Sequence, residues 1–480
     1  MAWQNLHFVI TAVALVAALA ASAHAIIYKR EPRSAVLWVS FIWLSPLVGP
    51  PLYLLLGVNR IRRRAARLFK GLDRHQSASH LPVVAVEKVP YALPPSARHL
   101  ADLAACVNRT ATRVLTPGNR VEVLVEGDEA FPAMIRAIEK AEQSVNFCTY
   151  IFDRDKAGTM FSEALAEAVA RRVDVRVLID DAGVHYSWPT ILPLLRRAGV
   201  RCATFLPTLA VCRYRATHLR NHRKILVVDG RVGFTGGMNI REGLLLRQQP
   251  RRPVRDVHFR LDGPVVAQLQ EAFADDWLFV TGESLRGERW FPRLTAAGEI
   301  LARGISDGPD EGFGQLRWTL LSALACARRS VRIVTPYFLP ETALVFALNV
   351  CALRGLEVDI ILPERNNLPF VQWAMRAHLW QVLERGCRVW LSRGAFDHSK
   401  LLLVDSAWAL LGSANWDTRS LRLNFEFNVE CYNAELATRL EALVENKLAG
   451  AHRVTLEEMD ERHWSIKLRD GTARLFAPYL

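Results

Sequence analysis

The chain has eight cysteines in 480 residues, and none falls into a CxxC pair or a zinc-like Cys/His spacing. Cys106, Cys148, Cys202, Cys212, Cys326, Cys351, Cys387 and Cys431 lie mostly in apolar runs. They read as reduced core thiols facing a cytosol, not as a disulfide framework. Acidic residues are also in deficit, 48 Asp and Glu against 61 Lys and Arg, for a formal net charge of +13. The deficit predicts attraction to an anion, either nucleic acid or a phospholipid surface, and composition does not choose between them. Charge is missing altogether from His7 to Tyr28, a length that suits one membrane-spanning helix. It is missing again from Ser34 to Asn59, with only Lys29-Arg-Glu-Pro-Arg33 between the two runs.

Two spans joined so tightly make a helical hairpin with both ends on one side of a bilayer, with Trp38, Trp43 and Tyr53 as interface candidates. Pro46, Pro50 and Pro51 predict that the second span is kinked or dips partway. Ala23-His-Ala25 has the form of a signal-peptidase site, but Met1 to Leu6 carries no Lys or Arg, which argues against a cleaved signal. Arg60, Arg62, Arg63, Arg64, Arg67 and Lys70 follow the second span, and Lys29, Arg30 and Arg33 lie between the spans. That balance puts the bulk of the protein on the cytoplasmic side, in a multi-pass inner-membrane arrangement.

With 51% apolar and 23% charged residues the remainder is globular and long enough for two or three domains. Residues 1–70 form the hairpin, with spans near 7–28 and 35–58. Residues 71–105, with Pro82, Pro90, Pro94 and Pro95, read as a linker. From Arg120 strands alternate with amphipathic helices, which predicts an α/β architecture with parallel strands. Ser330 to Phe338 repeats the pattern of Ser144 to Phe152, and Arg354 to Leu362 that of Arg172 to Leu178. The soluble part is therefore two α/β halves, 106–295 and 296–480, the second ending in a tail, with the join between Thr281 and Asp310.

One short sentence is written twice. His222-Arg-Lys224-Ile-Leu-Val-Val-Asp229 is followed by Gly236-Gly237-Met-Asn239, and His398-Ser-Lys400-Leu-Leu-Leu-Val-Asp405 by Gly412-Ser413-Ala-Asn415. Every position shifts by the same interval. On a strand, His and Lys two residues apart share a face, so each copy presents an imidazole beside an ammonium. Asp229 and Asp405 are counted with the catalytic set, although alternation turns them to the opposite face, where a structural or orienting role fits better. Gly237 and Ser413, small like Gly236 and Gly412, let backbone approach a ligand, and Asn239 and Asn415 can donate amide hydrogen bonds.

Two such faces across a pseudo-two-fold suit a tetrahedral phosphate. Lys and Asn stabilise charge on phosphoryl oxygens, one neutral His attacks phosphorus, and the other serves the leaving and entering alcohols as acid and base. Zinc on two His and two Asp is the competing chemistry, but a Lys beside each His repels a metal.

These residues resemble the phospholipase D superfamily, with its paired H-x-K-x4-D motifs, and within it the bacterial cardiolipin synthases. Tyr150-Ile-Phe152, Asp256-Val-His258, Thr335-Pro336-Tyr337, Asn415-Trp-Asp417-Thr-Arg419, Asn424-Phe-Glu426, the hairpin and the C-terminal Pro478-Tyr-Leu480 carry the narrower likeness. The resemblance implies two pseudo-symmetric phospholipase D-like α/β halves forming one active site, preceded by a transmembrane helical hairpin. It implies no metal or cofactor, and transfer of a phosphatidyl group between two phosphatidylglycerol molecules. His222 would be the nucleophile and His398 the acid/base, an order the residues alone do not fix. It also implies an acidic residue behind each His: Glu426 for His398, and Asp256 for His222. Asp397, next to His398, departs from the familiar pattern. It would either raise the basicity of His398 or point to solvent. Phospholipase D hydrolysis, or transfer from other phospholipid donors, uses the same machinery. A nuclease suits the charge, but two apolar spans leave nucleic acid out as a partner and favour anionic phospholipids and the membrane.

Overall fold

The computed structural model describes residues 2–29, 32–57, 81–206, 219–308 and 314–477. The chain divides into two units, Met1–Arg67 and Leu68–Leu480. The basic cluster from Arg60 to Lys70, the first part of the expected linker, Cys212 and Pro478 to Leu480 lie outside the described residues.

In the first unit Ala2–Tyr28 is one helix, and its stretch Asn5–Tyr28 is long and apolar enough to cross a membrane. The second expected span is not one helix. Pro32–Leu44 runs for only 13 residues, Ser45 to Val48 turn, and Gly49–Leu52 and a wide turn over Tyr53–Gly57 follow. The prolines explain the break: a proline has no N–H to give a preceding turn, and Pro50 and Pro51 instead open the next one. The pieces pack through small residues. Ala18, Ala21 and Ala25 line one face of the long helix and bury Ile42 and Tyr53. Gly49 is required there, since a Cβ would stand 2.6 Å from the Ile42 Cα. Tyr53 is buried between these pieces, 2.8 Å from the His24 ring nitrogen.

The second unit is built on one 16-stranded sheet. Its two halves repeat in mirror order from the centre. On one side of the middle come Thr116–Val125, Val257–Asp262, Val232–Gly236, Ile225–Val228, Ser144–Thr149, Asp174–Asp180 and Arg201–Phe205. On the other come Ile300–Asp307, Asn424–Tyr432, Trp408–Gly412, Leu401–Val404, Ser330–Val334, Glu357–Pro363 and Arg388–Ser392. The halves join where Thr116–Val125 pairs antiparallel with Ile300–Asp307. In each half three strands toward the edge pair in parallel, where helical crossovers link them, while His452–Val454 closes the second half antiparallel; the sheet is mixed, not parallel throughout. Strands such as Ser144–Thr149 and Leu401–Val404 are buried at every position because helices cover both faces. In the first half Phe131 and Phe161, from the helices Glu126–Glu139 and Lys156–Ala170, pack with Phe147 and Phe152.

The described part of the expected linker is folded. Val86–Ala92 and Pro95–Leu100 are tight 3-10 turns and Ala101–Asn108 is a helix. Val89, Leu93, Ala97, Leu100, Leu103 and Val107 bury into the core of the second half with Leu301, Leu316 and Leu320. Pro94 and Pro95 open the turn Pro95–Leu100, Pro90 sits inside Val86–Ala92, and the apolar neighbours of these prolines, not their polarity, decide the outcome. The segment precedes the first half in sequence but belongs to the second in space.

Candidate active site

The two His-x-Lys segments lie in extended chain just before the strands Ile225–Val228 and Leu401–Val404, not within them. Each is stitched to the other half. Arg220–Asn221 pairs in parallel with Asn424 and Phe425, and the His222 amide donates to the Phe425 carbonyl at 2.9 Å. Phe396–Asp397 pairs in parallel with Val254–Arg255, and the His398 amide donates to the Arg255 carbonyl at 2.7 Å. One residue beyond each of those carbonyls stands a carboxylate: Glu426 and Asp256.

The carboxylates therefore face the histidines in crossed order. His222 Nδ1 is 3.0 Å from both Glu426 oxygens, and His398 Nδ1 is 2.8 Å from Asp256 Oδ2. The expected assignment, Glu426 to His398 and Asp256 to His222, is overturned. Proximity along the chain suggested it, whereas the inter-half strand pairing decides it. With Nδ1–H donating to a carboxylate, each ring keeps its Nε2 lone pair for chemistry.

Lys224 and Lys400 each donate to the carbonyl of the histidine two residues before. Lys224 also lies over the Tyr150 ring, 5.6 Å from its centroid. Burial pushes Lys224 down to about 7 and Lys400 to about 8. His398 is lowered to about 4 by burial and then by Lys400. His222 is held well below the usual range by burial, then by Lys224 and Lys400. Each half's lysine thus bears on the other half's histidine. Glu426 is raised to about 7 by burial, against the opposing pull of Lys224. Without an anion the pocket disfavours positive charge, so a bound phosphate would restore it.

The remaining motif residues take other places. Asp229 leaves the site: its carboxylate accepts the backbone amides of Glu142, Gln143 and Ser144. Asp405 does the same for Arg328, Arg329 and Ser330, and lies 2.7 Å from the His99 ring. Both have left-handed backbone, φ 52° and 53°, at the turn that ends the buried strand. They fasten that turn to the neighbouring strand, the orienting place that alternation along the strand suggests. Gly237 makes room for a carboxylate rather than for ligand: a Cβ would lie 2.5 Å from Asp256 Oδ1. Its counterpart Ser413 donates its hydroxyl to Glu426. Asn239 Oδ1 accepts from the Ile151 amide at 3.0 Å, and the Asn415 amide lies 3.3 Å from Ser420 Oγ, its own Oδ1 unpartnered. Asp397 does not reach solvent. It is buried, paired with Lys447 and bonded by Ser399.

Sequence reasoning assigned no role to Tyr150, Tyr337 or Arg419. Tyr150 packs edge-on against His222 and Tyr337 against His398, with ring centroids 5.3 and 6.4 Å apart. Arg419 is a further charge that lowers His222. The signal was present in the repeat of Thr149-Tyr150 and Thr335-Pro336-Tyr337, each at the end of an equivalent strand. Among the described residues no three His, Cys, Asp or Glu side chains converge as a metal-holding group.

Two histidines, two lysines and two crossed carboxylates, built from two mirrored α/β halves, define an enzyme of the phospholipase D superfamily. Residues 134–277 and 320–448 match the family described as cardiolipin synthase, phospholipase D-like domain, and residues 16–57 match the phospholipase D-nuclease N-terminal family. The cardiolipin synthase of Geobacillus kaustophilus is 31% identical over 459 residues, 94% of this chain and 90% of that protein. That of Oceanobacillus iheyensis is 29% identical over 455 residues, 94% and 95% of the two chains. The crystal structure of phosphatidylserine synthase from Haemophilus influenzae shares the fold, with a TM-score of 0.62 at 16% identity, over 79% of this chain and all of that one. The chain belongs to the cardiolipin synthase family of phospholipase D-like phosphatidyltransferases. Its N-terminal apolar helix and the match to the N-terminal family give it a membrane location.

Proposed function

We propose that the protein transfers a phosphatidyl group from one phosphatidylglycerol to the hydroxyl of another, forming cardiolipin and releasing glycerol. His222 Nε2 attacks phosphorus and the bond from phosphorus to the glycerol oxygen breaks. His398, protonated once the anion is bound, gives its proton to that oxygen, leaving a phosphatidyl group on His222. His398 Nε2 then takes the proton of the second lipid's hydroxyl, whose oxygen attacks phosphorus and releases His222. Lys224 and Lys400 carry the charge that grows on the phosphoryl oxygens, with Asn239 and Asn415 beside them. Glu426 and Asp256 orient the two rings and balance the imidazolium form. Cofactors and metal ions have no part in these steps. The observation that carries the reading is the crossed pair of His-carboxylate contacts, which gives one site two imidazoles each oriented through Nδ1 by a carboxylate of the other half.

The membrane segments return to the side they start from, with the catalytic unit in the cytoplasm of an inner membrane. The anionic surface there suits a chain of net charge +13. The decisive experiment is incubation of purified protein with phosphatidylglycerol alone, followed by lipid analysis and a glycerol assay. Cardiolipin and glycerol in equal amounts are expected, unchanged by EDTA. Phosphatidic acid without cardiolipin would instead establish hydrolysis.

A further inference from the structure

Large apolar side chains lie bare at two places flanking the histidines. In the first half Tyr150, packed on His222, also touches the Tyr186 ring at 6.2 Å. Tyr186 is 54% exposed, and Trp188, two residues on, is 88% exposed. In the second half Tyr337, packed on His398, donates its hydroxyl to Asn367 Oδ1 at 2.8 Å. The next residue, Leu368, is 46% exposed, and Phe370 is exposed as well. The two loops occupy equivalent positions. One follows Asp174–Asp180, beside the strand that delivers Tyr150, and the other follows Glu357–Pro363, beside the strand that delivers Tyr337.

Neither loop is a loose tail. Ser187 Oγ accepts from the Arg154 amide at 2.9 Å. Asn366 donates to the Pro336 carbonyl at 2.9 Å and accepts from the Leu368 amide at 3.0 Å. Phe370 rests on Phe476, ring centroids 5.6 Å apart. Firm scaffolds thus hold apolar tips in water, which is unfavourable unless something covers them. Each tip has an exposed arginine close by, Arg154 and Arg365. An aromatic or aliphatic tip with a basic collar matches an anionic lipid interface, where rings enter the headgroup and acyl boundary and guanidinium groups meet phosphates.

We infer that the loop Tyr186 to Trp188 and the start of the helix Pro369–Arg376, Leu368 to Phe370, are paired lips that enter one leaflet of an anionic phospholipid bilayer. A lipid headgroup then reaches the His222–His398 site from that leaflet while its acyl chains stay in it. This deepens the phosphatidyl-transfer reading and rests on it.

The test uses the full-length protein and the double variant Trp188→Ser/Leu368→Ser, whose positions are exposed and leave the core intact. On vesicles of phosphatidylglycerol and phosphatidylcholine the variant should turn over about tenfold more slowly, or worse. On monomeric dihexanoyl phosphatidylglycerol in neutral detergent it should stay within about twofold of the natural chain, since no bilayer need be entered. Acyl-brominated phospholipids should quench the fluorescence of the natural chain more than that of Trp188→Phe. Equal vesicle turnover, equal loss on both substrates, or quenching indifferent to Trp188 would overturn the inference. So would a change of oligomeric state of the double variant in detergent, which would assign the tips to self-association. If the natural chain converts neither lipid, the transfer reading fails by itself, and the quenching still decides the lips.

Discussion

His398 Nδ1 stands 2.8 Å from the Asp256 carboxylate, a residue 142 positions earlier in the other half of the molecule. His222 makes the mirror contact with Glu426, 204 positions later. Neither half carries a complete His-carboxylate unit. A ring without its partner would be free to turn and to take the wrong tautomer, so the chemistry depends on both halves being assembled.

The crossed contacts predict that Asp256→Asn and Glu426→Gln each lower kcat by on the order of 10³, with KM little changed. Asp256→Asn added to His398→Ala should cost nothing further, because the two act as one unit. Asp256→Asn added to His222→Ala probes the uncrossed pairing. Glycerol release from phosphatidylglycerol measures all of them. Full additivity of Asp256→Asn with His398→Ala would refute the pairing.

Rising pH should abolish activity through the lysines. Burial brings Lys224 down to about 7 and Lys400 to about 8. In the free enzyme both lose their protons across that window, and a neutral amine no longer stabilises a phosphoryl oxygen. Because kcat/KM reports free-enzyme groups, it should decline as pH rises through 7 to 8. Bound anion raises both values, so kcat should hold to higher pH. A pH–rate profile in which kcat/KM climbs steadily to pH 9 would contradict this assignment.

Asp405 should matter for stability and not for chemistry. Burial opposes its charge, but the Ser330, Arg329 and Arg328 amides hold its carboxyl below the usual range. That contribution is complete above the ordinary carboxylate pKa and is lost as pH falls through the lower folded value. Asp405→Ala strands three amide donors and should cost about 2–4 kcal/mol. Thermal unfolding should show the loss, while the kcat of the folded fraction stays within about threefold of the natural chain. A collapse of kcat in a fully folded Asp405→Ala protein would return the residue to the catalytic set.

The buried Lys447–Asp397 pair lies directly before His398. Lys447→Met leaves the Asp397 charge buried and unpaired, at a cost of about 3–5 kcal/mol. Adding Asp397→Asn removes that charge and should restore much of the stability. Melting curves of the single and double variants test this; a double variant no more stable than Lys447→Met would show that the pair is not what holds the segment.

Much of this was legible in the residues. The uncharged stretch from His7 to Tyr28 reads directly as a long apolar helix, because helix length and side-chain polarity are local properties. The alternation of strands and helices, and the repeat that makes two halves, are legible for the same reason. So is the neighbourhood of His222 with Lys224 and of His398 with Lys400, since residues two apart in extended chain share a face. The turn at Asp229-Gly230 was likewise readable, and with it the suspicion that Asp229 and Asp405 turn away from the site.

What the tertiary structure alone decided is which carboxylate serves which histidine, and which half the segment from Val86 to Asn108 joins. Both depend on contacts between residues far apart in sequence, set when Asn424–Phe425 and Val254–Arg255 pair with the opposite half's motif. The same holds for Gly237, whose smallness serves Asp256, and for the second apolar segment, whose helix ends at Leu44 before its prolines. Local spacing determines what a residue can present. The register between two halves packed on one sheet determines what it meets.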